Sequence, residues 1–163
     1  MKTFGIDNFK LYLIILLLLY LPYYFYNIFL MQIRADILLI TIFYFSIVRK
    51  YSLSLIFFIV VGLLNDQLYG RLLGTETLIF SLVAIFAQTN INSLYKQKFS
   101  VIFASFVLIV ILTVAIKCLT GFIHPQHAVV FRNEILDGLA TLLMYPLLHY
   151  LYSVKLDWFT SDE

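Results

Sequence analysis

Three charged residues lie close together in the otherwise apolar segment 62–80, which reads GLLNDQLYGRLLGTETLIF. Asp66, Arg71 and Glu76 could in principle move a proton, bind a ligand or hold helices together. The same segment spaces four residues at intervals of four: Gly62, Asp66, Gly70 and Gly74. On a helix such residues share one face, and glycines let a neighbouring backbone approach closely. This spacing favours a helix-packing motif, with an ordinary polar turn at a helix end as the alternative.

A charged carboxylate is energetically unfavourable inside a membrane. On insertion scales it costs about 2.5 to 3.5 kcal/mol at the centre of a spanning helix. We therefore expect Asp66 to lie near a helix end, to face a polar interior, or to find a donor such as Arg71 or Asn65.

No catalytic arrangement accompanies these charges. The sequence has no nucleophile with a matched base, no phosphate-binding glycine loop and no dinucleotide fingerprint. Cys118 is the single cysteine and cannot form an internal disulfide. His124 and His127 flank Pro125 without an adjacent Cys or carboxylate, which favours a solvated turn over a metal pair. We expect no catalytic residue, no cofactor site and no metal site.

The composition indicates an integral membrane protein. Hydrophobic residues make up 63% and charged residues 12% of the chain, whereas soluble domains are about 45 to 50% apolar and about 25% charged. The net charge of +2 and the lack of a basic run exclude nucleic-acid binding. Because the apolar stretches use nearly all 163 residues, we predict one transmembrane domain covering residues 1–163.

Charged residues separate six apolar stretches, and each is a candidate spanning helix. They are residues 11–33, 37–48, 51–65, 77–95, 99–116 and 138–154. A crossing needs about 20 helical residues, so the second and third stretches suffice only if Arg34 and Asp36 lie at a membrane surface and Asp66 is drawn in. Irregular backbone cannot face lipid. The expected fold is therefore an all-α bundle of about six transmembrane helices.

The distribution of Lys and Arg predicts the orientation of this bundle. With both termini inside, the cytoplasmic segments hold seven of these residues and the outer links hold four. Cytoplasmic segments carry the excess of positive charge in membrane proteins. Both termini are therefore predicted to be cytoplasmic.

The Gly62, Asp66, Gly70, Gly74 pattern resembles the central motif of the bacterial rod shape-determining protein family MreD. The stretch RADILLITIFYF, with Arg34 and Asp36, is similar to the family's arginine, polar residue and aliphatic run. The last stretch, ILDGLATLLMYPLLHYLY, resembles the family's polar residue and later proline at Asp137 and Pro146. The resemblance covers nearly the whole chain.

This resemblance implies a non-enzymatic, multi-pass component of the cell-elongation machinery in the bacterial inner membrane. The implied partners are the bitopic protein MreC, the actin-like protein MreB, and the RodA glycosyltransferase with its penicillin-binding transpeptidase, which insert peptidoglycan. The family is also similar in fold to the substrate-binding membrane subunits of energy-coupling factor transporters. That similarity supplies an alternative function, a membrane subunit that binds a small, vitamin-type solute.

Six polar residues near the predicted outer surface bear on this choice: Asn65, Asp66, Gln67, Asn133, Glu134 and Asp137. They could line a solute pocket, which needs a few convergent polar groups. They could equally hold helices together, since each interhelical hydrogen bond in a membrane contributes about 0.6 kcal/mol on average. A scaffold is the plainer explanation.

Overall fold

A computed structural model describes residues 15–17, 35–47, 54–94, 97–121 and 127–156 of the chain. Residues 15–17 are helical, and the helices that follow are α1 (Ile37–Ile47), α2 (Leu55–Tyr69), α3 (Thr75–Leu94), α4 (Phe99–Gly121) and α5 (His127–Leu156). They correspond to the second to sixth predicted spans. Within these ranges there is no strand, as the all-α prediction requires. Arg34 and most of the first predicted span lie outside the described residues.

Two of the helices are long and apolar enough to cross a membrane. α3 has 20 residues and α4 has 23, which matches the length that a hydrocarbon layer requires. α1 and α2 have only 11 and 15 residues, or about 17 and 23 Å at 1.5 Å per residue. They are as short as the sequence predicted.

The helices near one end of the bundle extend further than predicted. α4 ends at Gly121 instead of residue 116, and α5 begins at His127 instead of residue 138. The prediction of a solvated turn at His127 was therefore wrong, and His124 lies outside the described residues. The predicted spans stopped at charged residues, but a helix continues past the hydrocarbon wherever its charges are solvated or paired.

α1 forms the centre of the bundle. Every residue from Leu38 to Ile47 is buried, as expected for a helix that is hydrophobic on all sides. It packs against α3 and α5, while α2 packs on α3 and α4 packs on both α3 and α5. Around its second half the Phe43 ring lies 5.0 Å from the Phe106 ring, which stacks on Tyr145 at 4.2 Å. This packing fixes the position of α1 and of Asp36, which directly precedes it.

Candidate functional site

The link between α2 and α3 is a tight turn that depends on two glycines. Gly70 ends α2 with φ of 61° and ψ of 30°, and Gly74 has φ of 102°. Side chains other than glycine are strained in this left-handed region. The Arg71 N–H donates to the Asp66 carbonyl oxygen at 3.0 Å and closes the end of α2. These glycines therefore let the chain reverse direction within a few residues.

Gly62 allows α2 and α3 to touch along their backbones. A Cβ atom at this position would lie 2.4 Å from the Cα atom of Thr77. Real Cβ contacts are not this short, so any side chain here would move one helix away from the other. The third glycine of the segment thus determines how closely the two helices pack.

Asp66 binds the start of α3. Its side chain is completely buried, and its carboxylate accepts hydrogen bonds from the Gly74 N–H at 2.7 Å and the Glu76 N–H at 3.0 Å. The first N–H groups of a helix have no partner within it, and negative charge is favourable at that end. The donors are thus main-chain N–H groups of the first turn of α3 and of the residue just before it, not the Arg71 side chain. Asp66 joins the end of one helix to the beginning of the next.

A cluster of ion pairs lies beside this turn and is centred on Glu76. The Arg71 guanidinium donates to Glu76 and, at 3.2 Å, to Glu134 on α5. Lys117 on α4 places its Nζ atom 2.9 Å from Glu76 Oε1 and 3.0 Å from Asp36 Oδ2. The cluster therefore connects the α2–α3 link with α3, α4, α5 and the start of α1.

Asp36 links the cluster to two more groups. Its Oδ1 atom accepts a hydrogen bond from the Leu39 N–H at 3.0 Å, so it caps α1. Its own N–H donates to Thr141 Oγ1 on α5 at 2.8 Å. Thr141 in turn donates to the Asp137 carbonyl oxygen at 2.7 Å. One carboxylate thus orients the central helix relative to α4 and α5.

The cluster is buried, so its charges depend on one another. Glu76 is 0% exposed and Lys117 is 8% exposed. Burial raises the pKa of Asp36, but Lys117 outweighs burial and holds that pKa below its ordinary value. Burial lowers the pKa of Arg71, but the carboxylates of Glu76 and Glu134 outweigh it and raise the pKa. The ion pairs thus favour the charged form of both groups.

Two cavities lie next to the cluster and share Arg71, Lys117 and Glu134 among their lining residues. The inner cavity has a volume of about 60 Å³ and is also lined by Asp36, Glu76 and Asp137. The outer cavity has a volume of about 250 Å³ and opens beside Gly70 and Leu72. Sites for drug-sized ligands have volumes of about 300 to 1,000 Å³. The inner cavity is much too small for a molecule of that size.

The cluster contains residues that the sequence analysis singled out and residues that it missed. Of the secondary polar candidates, Asp36 and Arg71 form ion pairs, Asp137 lines the inner cavity, and Pro146 lies exposed within α5. Glu76 was noted as one of the three charges of segment 62–80 but was not named as a site residue, and Lys117 was missed. The signal for Lys117 was its position inside an apolar stretch, because an intramembrane lysine is costly unless it has a partner.

The comparisons with known proteins agree with the resemblance found in the sequence. The family model for rod shape-determining protein MreD matches residues 2–155 of the 163-residue chain. No curated protein and no solved structure matches the chain. The family is one of membrane proteins, in agreement with the two helices long enough to cross a bilayer. The chain therefore belongs to the MreD family of rod shape-determining proteins.

Proposed function

We propose that this chain is a non-enzymatic scaffold of the cell-elongation machinery in the bacterial inner membrane, and that it associates directly with MreC. One observation carries the proposal. The charged groups at one end of the bundle are used to join helices, since Asp66 binds the N–H groups of α3 and Glu76 binds Arg71 and Lys117. A rigid bundle of this kind can present a fixed surface to a partner.

The proposed mechanism is lateral association with the single membrane helix of MreC. Lipid provides no hydrophobic incentive for helices to associate, so packing and polar contacts must provide it. Gly62, Asp66, Gly70 and Gly74 would fix the relative position of α2 and α3 and thereby shape a groove for that helix. Through MreC the scaffold would serve MreB, RodA and the penicillin-binding transpeptidase.

Co-purification with MreC tests this mechanism. Gly70→Leu introduces a side chain where φ is 61°, and it should weaken the association. Asp66→Leu should weaken it more than Asp66→Asn, because Asn keeps one acceptor oxygen for the N–H groups of α3. The amount of each variant in the membrane must be measured in parallel. Normal amounts of protein with unchanged MreC recovery would remove this motif from the interaction, and loss of the protein itself would assign the motif to folding alone.

We further propose six membrane crossings with both termini in the cytoplasm. The proposal rests on the seven Lys and Arg residues that this orientation assigns to the inner side, against four outside. Reporter fusions after residues 97 and 126 test it. A reporter that is active only in the cytoplasm should be active after residue 97 and inactive after residue 126. A reporter that is active only outside should give the opposite pattern. The reverse of both results would reverse the orientation.

The second candidate is a membrane subunit that binds a small, vitamin-type solute, with the fold of the corresponding energy-coupling factor subunits. The outer cavity of about 250 Å³, with Arg71, Lys117 and Glu134 in its lining, is the observation in its favour. The inner cavity of about 60 Å³ is too small to enclose a vitamin. A thermal-shift screen of the purified protein against vitamins separates the two functions, because a scaffold should show no stabilisation by any of them.

A further inference from the structure

Two carboxylates in the cluster each have one buried oxygen without a hydrogen-bond donor. Glu76 Oε1 is bound by Arg71 and Lys117, whereas Glu76 Oε2 has no partner among the described residues. Glu134 binds Arg71 through its Oε1 atom, and its Oε2 atom likewise has no partner in that part of the chain. A buried polar group is costly to leave unsatisfied, and a charged one more so. Both oxygens therefore call for a donor from outside the chain.

The inner cavity is the place where such a donor can lie, because Glu76 and Glu134 both line it. The Glu76 side chain is 1% exposed and that of Glu134 is 12% exposed, so bulk solvent hardly reaches them. The volume of the cavity is about 60 Å³. One water needs about 10 to 15 Å³ of space in a cavity and takes up about 30 Å³ in the liquid. The cavity therefore suits water-sized molecules.

The lining of the inner cavity offers water both acceptors and donors. A buried water typically makes about three hydrogen bonds. Glu76 Oε2 and Glu134 Oε2 are two acceptors that are not otherwise used. Arg71 and Lys117 line the same cavity, and each carries more N–H groups than its ion pairs use. A water molecule can therefore donate to a carboxylate and accept from a cation at the same time.

A water here joins two helices that pack little on each other. Glu76 belongs to α3 and Glu134 to α5, and each of these helices packs on α1 and α4 rather than on the other. Arg71 bridges the two carboxylates through their Oε1 atoms. A bridging water is nearly as favourable in enthalpy as a direct hydrogen bond. Water bound to the Oε2 atoms thus adds a second polar link between α3 and α5.

We propose that the inner cavity is a hydration site, in which about two ordered water molecules donate hydrogen bonds to Glu76 Oε2 and Glu134 Oε2. The waters accept hydrogen bonds from the remaining N–H groups of Arg71 or Lys117. They complete the polar contacts that hold α3 and α5 at this end of the bundle. This site does not depend on the scaffold proposal, because it requires no protein partner.

Radiolytic hydroxyl-radical labelling of the detergent-purified, full-length protein tests the site. Radiolysis of an ordered internal water forms the radical in place, so a side chain next to it is oxidised even when it is buried. Leu39 is 1% exposed and lines the inner cavity, whereas Ile42 is 0% exposed and is not part of its lining. Leu39 should be labelled several times faster than Ile42, and a scavenger of radicals in the bulk solvent should not remove the difference. Equally slow labelling of the two residues, or loss of the difference with the scavenger, overturns the proposal.

A matched pair of variants tests whether the cavity is wet. Val110 lines the inner cavity and Val83 does not, and both side chains are 3% exposed. Removing buried methyl groups costs lost burial and, where the new space stays empty, a further cavity penalty. An apolar cavity stays dry, whereas a polar one takes up water. Val110→Ala should therefore lower the free energy of unfolding less than Val83→Ala, and an equal or larger loss at Val110 overturns the proposal.

A comparison of salts distinguishes water from a small cation in the same cavity. An ammonium ion is similar in size to water and also donates hydrogen bonds. If it were the natural occupant, ammonium chloride would raise the melting temperature above that in sodium chloride at the same concentration. We expect equal melting temperatures in the two salts, and a specific rise with ammonium overturns the assignment to water. This comparison and the labelling use the unaltered chain, so they do not depend on whether a variant folds.

Discussion

The two ends of the helix bundle are held by different kinds of contact. At one end, the α2–α3 turn and the Glu76 cluster hold the helices together through ion pairs and through hydrogen bonds to buried carboxylates. At the other end, aromatic rings from α1, α4 and α5 pack on one another, with Tyr145 stacked on Phe106. Ion pairs in a buried site depend on every member, whereas apolar packing tolerates changes that conserve volume. Substitutions should therefore be far more harmful at the charged end.

The largest effect should come from removing Lys117, the α4 cation that pairs with Asp36 and Glu76. Lys117→Met leaves the buried carboxylates of Asp36 and Glu76 without their ammonium, and such a loss costs about 3 to 5 kcal/mol. We expect that decrease in the free energy of unfolding, measured by denaturant titration in micelles. Lys98→Met is the matched control, because Lys98 is exposed and should change little. Equal stability of the two variants would show that the ion pairs do not hold this end.

A smaller effect should come from separating α2 and α3 at their closest approach. Gly62→Ala places a Cβ atom 2.4 Å from the main chain of Thr77, so a helix must shift, which costs about 1 to 3 kcal/mol for overpacking. Gly138→Ala is the control, since its Cβ would meet side chains and no main chain, namely Val114 Cγ2 at 2.6 Å and Val110 Cγ1 at 3.6 Å, and a side chain can move more easily than a helix backbone. The same measurement should rank Gly62→Ala as the more destabilising change. The reverse order would mean that the α2–α3 contact is loose.

The sequence predicted the positions of the helices better than the ion-pair cluster around Glu76. The predicted starts at 37 and 99 coincide with α1 and α4, because a charged or polar link precedes each. The predicted boundaries at Lys117 and Asp137 were wrong, because charges inside a helix cannot be distinguished in the sequence from charges at its end. The spacing of four was interpreted as one helix-packing face, but only Gly62 and Asp66 lie on α2, whereas Gly70 and Gly74 form the turn that the sequence analysis gave as the alternative. Lys117 is 81 residues from Asp36, and nothing local reveals such a pair.

The Asp66 carboxylate should have a moderate effect that depends on its geometry. Asp66→Asn keeps one acceptor for the two N–H groups of Gly74 and Glu76, so it should cost about 1 kcal/mol, within the range for helix caps. Asp66→Leu removes both acceptors and should cost more. The same titration gives the free energy of unfolding of both variants. Their difference separates the contribution of the hydrogen bonds to the Gly74 and Glu76 N–H groups from that of side-chain packing. Equal losses would indicate that Asp66 acts by its charge and not by this hydrogen bonding.

The smallest effect should come from the aromatic end, and it should not be destabilising. Tyr145 is fully buried, and its hydroxyl has no hydrogen-bond partner among the described residues. Tyr145→Phe keeps the ring stacked on Phe106 and removes an unsatisfied polar group, so the free energy of unfolding should stay the same or rise slightly. Tyr152→Phe is the matched comparison, because its hydroxyl bonds to Thr41 Oγ1 at 2.8 Å and its loss should cost about 0.6 kcal/mol. If Tyr145→Phe were the more destabilising of the two, this end would also depend on a specific polar contact, and the contrast between the two ends would fail.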